Sequence, residues 1–107
     1  MVSRKWTISD EYKEASMAIM FDNLSPLRAR IGITQEEIAN IIGISRQTYY
    51  AIEKGNRKMT WSIYLALLFF FDSVKECSEM LKELRIYPID LIFQFNEQLL
   101  DVEPLEM

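Results

Sequence analysis

Residues 34–55 read TQEEIANIIGISRQTYYAIEKG. Glu37 follows Thr34 by three residues, the spacing of a capping box. In that arrangement the hydroxyl accepts one free N–H of the new helix, and the carboxylate accepts the N–H of the cap. The helix so started presents Ile38, Ala39, Ile41 and Ile42 and stops at Gly43, which can take the left-handed conformation of a sharp turn. Ser45 caps a second helix over 46–54, with Tyr49 and Ile52 inward and Gly55 at its end. Only Gly43, Ile44 and Ser45 separate the two helices. Ile44 is placed to plug the corner, and Ala39 is small where the helices must cross closely. Two short helices at a tight corner, the second projecting outward, form a helix-turn-helix.

The flanking sequence is helical as well. Residues 10–21 carry few breakers and a partly apolar face at Ala15, Ala18, Ile19 and Phe21. Asn23 or Ser25 can cap a further helix, with Pro26 in its first turn, where a missing N–H costs nothing; it carries Leu24, Leu27 and Ile31 and stops at Gly32. Thr60 caps a helix running to about Phe71. Asp72 or Ser73 opens a fifth, through Lys82 to Arg85, and Pro88 opens a sixth, ending near Leu100. Three Gly and three Pro in 107 residues supply too few turns for a sandwich or barrel. The expected fold is therefore all-α: a helix-turn-helix bundle of four to five helices with a helical C-terminal extension. The expected divisions are an N-terminal helical segment at 1–21, the helix-turn-helix domain at 22–72 and a C-terminal extension at 73–107.

Composition narrows the chemistry. Half of the residues are apolar and 26% charged, which suits a globular core. There is no His, the commonest general base and metal ligand, and one Cys, so neither an intramolecular disulfide nor a cysteine metal cluster. With no phosphate loop and no Gly-rich pocket motif, an enzyme is not expected, nor a cofactor or a metal. Cys77 reads as a small helix residue, the six Met as core fillers, and Asp10, Glu11 and Glu14 as a solvated face. The absence of a disulfide framework fits a reducing cytoplasm. Residues 1–10 lack the apolar core of a signal peptide. The longest apolar run, residues 63–71, is short of the roughly 20 residues of a membrane span.

The net charge of -4 hides an uneven distribution. Residues 1–23 carry -1, residues 24–58 carry +3 and residues 59–107 carry -6. A basic middle and an acidic C-terminal half suit a chain that turns one side toward phosphate. The outward face of helix 46–54 holds Arg46, Gln47, Tyr50 and Lys54, with Glu53 on its flank. Arg pairs bidentately with guanine and Gln with adenine in the major groove.

Leu27-Arg28, Gly32, Thr34-Gln35-Glu36-Glu37, Ala39, Gly43, Ser45-Arg46-Gln47-Thr48, Ile52-Glu53 and Gly55 together give the stretch a resemblance. LSPLRARIGITQEEIANIIGISRQTYYAIEKGNRKM, residues 24–59, resembles the phage-repressor-like (Cro/repressor-type, XRE-like) helix-turn-helix family of bacterial DNA-binding regulators. The resemblance covers about residues 22–72. It implies base reading by Arg46 and Gln47 at the start of the recognition helix and a phosphate contact by Gln35. It also implies a structural ion pair between Arg28 and Glu53. From their positions, Tyr50 joins the base-reading set, and Ser45, Lys54, Asn56, Arg57 and Lys58 join the phosphate set. Three positions depart from the family pattern. Tyr49 replaces a smaller aliphatic residue, so its hydroxyl must find a partner or reach the surface. Ala51 replaces a longer base-reading side chain, and Met59 stands where many relatives have Pro.

The helix starting at Trp61 has no polar face over residues 63–71, and an ordinary surface helix buries only one stripe. Residues 91–100 are too apolar for solvent as well. These helices either cover one another within one chain or form a two-fold dimer; the dimer is the expectation. The function expected is a sequence-specific, homodimeric transcriptional regulator of double-stranded DNA, a repressor acting by promoter occlusion in the cytoplasm, without a membrane partner. The alternatives are an antitoxin that binds both its operon and a toxin, and a protein-interaction domain without DNA binding.

Overall fold

The computed structural model describes residues 7–86 together with Phe95 and Asn96. Within them the chain forms five helices and no strand: α1 (Asp10–Ile31), α2 (Gln35–Ile42), α3 (Arg46–Lys54), α4 (Trp61–Ser73) and α5 (Lys75–Glu83). The all-α expectation holds. α2 and α3 form the helix-turn-helix; α1 packs on α3, α4 and α5, and α4 on α2 and α5. The core they enclose is built on Met20, Leu24, Leu27, Ile38, Tyr49, Ile52, Tyr64, Leu67, Phe71 and Leu81, all buried.

α1 corrects the sequence reading. The expected break near residues 21–25 does not occur, and 10–31 is one helix with Pro26 inside it. Proline offers no N–H to the Asp22 carbonyl, and its ring crowds that oxygen. The helix persists because Met17, Met20, Leu24 and Leu27 make one buried stripe on both sides of Pro26. A break would take one half of the stripe out of the core. Pro26 itself is exposed, so the defect faces water. Asn23 does not cap a new helix; its amide donates to the Ile19 carbonyl at 2.8 Å, one turn back. The division expected after residue 21 thus falls inside a single element.

A second correction lies at the α4–α5 junction. Asp72 and Ser73 do not open α5 but close α4. Ser73 Oγ donates to the Phe70 carbonyl at 2.6 Å, and the Asp72 carboxylate accepts from Ser78 Oγ at 2.9 Å. The N-cap of α5 is Val74, without a side-chain hydrogen bond. The helix expected from Pro88 lies outside the described residues apart from Phe95 and Asn96, which are helical.

α4 is partly uncovered. Its inner face buries Tyr64, Leu67, Leu68 and Phe71, whereas Phe69 is 80% exposed and Leu65 40%. Among the described residues no helix is long and apolar enough to cross a membrane.

Candidate nucleic-acid interface

The corner forms as its residues dictate. Thr34 Oγ1 accepts the Glu37 N–H at 3.0 Å and Glu37 Oε1 accepts the Thr34 N–H at 3.0 Å, completing the capping box. The backbone hydrogen bond from Thr34 holds the Glu37 carboxyl below the ordinary carboxylate range. Gly43 ends α2 at φ 82°, ψ 30°, a conformation with a steric cost for any residue bearing a Cβ. Ile44 packs against the core from the corner and Ala39 is buried at the helix crossing. The apolar set of α2 needs one correction. Ile38, Ala39 and Ile42 define the inner face, which leaves Ile41 on the flank, 53% exposed.

Ser45 then caps α3. Its Oγ accepts the Thr48 N–H at 3.0 Å and donates to Thr48 Oγ1 at 2.8 Å. With Tyr49 and Ile52 turned inward, Arg46, Gln47, Tyr50 and Lys54 are all exposed. Arg46, Gln47 and Tyr50 line one shallow recess. Lys54 Nζ stands 5.4 Å from the Tyr50 ring centroid, so the cation and the aromatic face act together. α3 has no acidic residue in its first turn. The only carboxylate on the helix, Glu53, is turned to the flank and neutralised.

That neutralisation is the Arg28–Glu53 pair, present as the resemblance implied. Arg28 Nε donates to Glu53 Oε2 at 2.9 Å and Nη2 to Oε1 at 2.7 Å, a bidentate fork that also delivers Nη1 to the Ile33 carbonyl at 3.1 Å. The two side chains retain 18% and 11% exposure. Burial alone would push the Glu53 carboxyl up; the hydrogen bonds from Arg28, the nearby Tyr49 hydroxyl and the Arg28 charge outweigh it and hold the group below its ordinary value. Hydrogen bonding to Glu53 likewise raises Arg28. The Gln35 amide, at the start of α2, adds a smaller contribution to lowering Glu53.

Tyr49 departs from expectation. Its ring is fully buried, and its hydroxyl has no partner in hydrogen-bonding geometry. The oxygen neither reaches the surface nor makes a well-formed bond, but it sits in the field of Glu53 and Arg28. Burial first, and Glu53 second, push the phenol well above its ordinary value, so it stays protonated.

The loop after α3 carries the remaining candidates. Asn56, Arg57 and Lys58 are exposed. The Asn56 and Arg57 N–H groups both turn back to the Ala51 carbonyl, at 2.9 and 3.2 Å. Arg57 Nη1 reaches Thr48 Oγ1 at 3.5 Å. Lys58 Nζ is 2.8 Å from Glu14 Oε1. Glu14 is thus not merely part of a solvated face. No sequence signal could have found it, since 44 residues separate the partners. The structure therefore places Gln35, Ser45, Arg46 and Gln47 about the α2–α3 corner, Tyr50 and Lys54 further along α3, and Asn56, Arg57 and Lys58 on the loop that follows it.

Comparison with known proteins agrees with this geometry. A family model described as Helix-turn-helix matches residues 27–60. The match falls on the segment that resembles the phage-repressor-like, XRE-like helix-turn-helix type. One relative is the uncharacterized HTH-type transcriptional regulator YgzD of Bacillus subtilis (strain 168), 46% identical over 37 residues. That match covers 35% of this chain and 56% of the relative, so the chain spans little more than half of the curated protein it resembles. No solved structure matches the chain.

Proposed function

We propose that this chain is a sequence-specific DNA-binding transcriptional regulator that lays α3 in the major groove. The observation that carries the reading is the outward face of α3. Arg46, Gln47, Tyr50 and Lys54 are exposed together, and the one carboxylate of the helix is tied to Arg28. Arg46 and Gln47 follow the Ser45 cap directly, at the helix end that enters the groove in this motif. They read base edges, with Tyr50 beside them. Gln35, Ser45, Lys54, Asn56, Arg57 and Lys58 contact phosphate and fix the register. Ser45 and Arg57 already hold Thr48, so their phosphate contacts are made by groups that are pre-positioned.

The protein acts as a homodimer through α4 and the C-terminal residues. Phe69 supports this: a phenylalanine 80% exposed beside Leu65 is an apolar surface that a second copy would cover. A two-fold dimer places two copies of α3 about 34 Å apart, one turn of duplex. Binding over a promoter excludes polymerase, so the regulatory sign is repression and no chemistry is involved.

The test is selection of bound duplexes from a random pool, with affinity then followed against salt. A two-fold symmetric site is expected, and log affinity falling by about 0.9 per phosphate neutralised for each decade of salt. Recovery of no enriched sequence, with no duplex bound at low salt, would overturn the reading in favour of a protein-interaction domain.

A further inference from the structure

The matched segment begins at residue 27, yet α1 continues N-terminally to Asp10. This N-terminal half of α1 lies against the loop that follows α3. Met17, Ala18 and Phe21 face Gly55 and Met59 across a recess. The Phe21 ring comes so close that a Cβ on Gly55 would meet its Cζ at 3.3 Å. Gly55 is also left-handed at φ 83°, so the loop is fitted to that helix in both space and conformation. At the upper end of the same flank, Glu14 Oε1 accepts from Lys58 Nζ at 2.8 Å. Asp10 and Glu11, one turn before Glu14, extend the acidic character toward the helix N-terminus.

We propose that Glu14 is a built-in competitor for the DNA phosphate at Lys58, so that the N-terminal half of α1 restrains binding by the loop. The inference rests on the DNA-binding reading. A carboxylate oxygen at 2.8 Å from an ammonium occupies the place a phosphate oxygen would take, with the same sign of charge and the same kind of charge-assisted hydrogen bond. Both side chains are largely exposed, at 73% and 57%, so the pair is weak enough to be displaced. A duplex docking on the loop must part the pair before Lys58 can take a phosphate. The cost falls at a point that reads no base, so every sequence is affected alike. The helical packing of Phe21 on Gly55 keeps the carboxylate in reach of Lys58.

The experiment is a double-mutant cycle on Glu14→Gln and Lys58→Gln in the full chain. Anisotropy of a fluorescein-labelled mixed-sequence duplex is followed over a salt series. Circular dichroism checks that each variant is folded. Glu14→Gln should tighten binding about two- to five-fold, the span of an exposed ion pair. It should also steepen the log–log salt slope by up to about 0.9, one further phosphate contact. In the Lys58→Gln background the same change should have no effect. Equal tightening in that background would show a general charge effect and overturn the proposal. So would unchanged or weaker binding by Glu14→Gln while the parent binds the duplex. A parent chain that binds no duplex at all would instead remove the DNA-binding reading, and the proposal with it.

Discussion

At the scale of single residues, the Arg28–Glu53 fork joins fold to site. It ties α1 to α3, neutralises the one carboxylate on α3, and sits beside the buried Tyr49 hydroxyl and the Gln35 amide. Arg28→Ala leaves Glu53 charged and poorly paired. Complete burial would put that loss at roughly 3–5 kcal/mol, and the residual exposure brings it to about 2–3 kcal/mol. A urea titration of the variant against the parent checks this. An unchanged midpoint with lost DNA binding would move Arg28 from support to contact. The same pair sets an acid limit. The folded-state Glu53 carboxyl lies below its ordinary value of 4.5, so its contribution is complete above that value and is lost as pH falls through the lower, folded one. Glu37 shifts in the same direction. The pair was legible in the sequence because Arg28 and Glu53 occupy matching motif positions. The Glu14–Lys58 contact was not, because exposed charges far apart in the chain carry no pattern.

At the scale of elements, the caps were readable and the interruptions were not. Thr34, Ser45 and Thr60 each start a helix by accepting an N–H three residues on, as hydroxyl residues before apolar runs should. Gly32, Gly43 and Gly55 end helices in the left-handed conformation. Asn23, Ser25 and Pro26 look like an equally good start, yet α1 runs through them. Local chemistry there proposed a boundary that the buried stripe of Met17, Met20, Leu24 and Leu27 overruled. At α5 the expected boundary exists but is shifted to Val74, since the Asp72 carboxylate accepts from Ser78 Oγ and does not cap the new helix. Pro26→Ala restores an N–H to the Asp22 carbonyl and removes the ring clash at an exposed site, so it should stabilise the fold by about 1–3 kcal/mol. Thermal melting checks it. A lower melting temperature would mean that Pro26 shapes α1 in a way its packing needs.

For the whole molecule, the projecting α3 and the bare strip of α4 belong to one design. On the proposed function a single copy of α3 would read one half-site, and Phe69 and Leu65, exposed on α4, are the surface that a second copy would cover. Phe69→Glu should therefore halve the mass in light scattering while leaving the helical signal intact, because a residue 80% exposed supports no core. A parent of monomer mass would remove the dimer, and a variant that keeps a dimer mass would place the contact elsewhere. The apolar excess of α4 was legible from residues 63–71, but which flank stays bare depends on how α1, α2 and α5 surround it, and that is a tertiary fact. The proposal that α3 reads sequence through Arg46 and Gln47 is tested by repeating the binding-site selection with Arg46→Ala and Gln47→Ala. A lost bidentate contact costs about 1–3 kcal/mol, and only at the base it reads. Each variant should relax preference at one position per half-site, neighbouring positions for the two variants, symmetrically in both half-sites, with non-specific binding largely retained. Selection profiles identical to the parent's for both variants would contradict the claim.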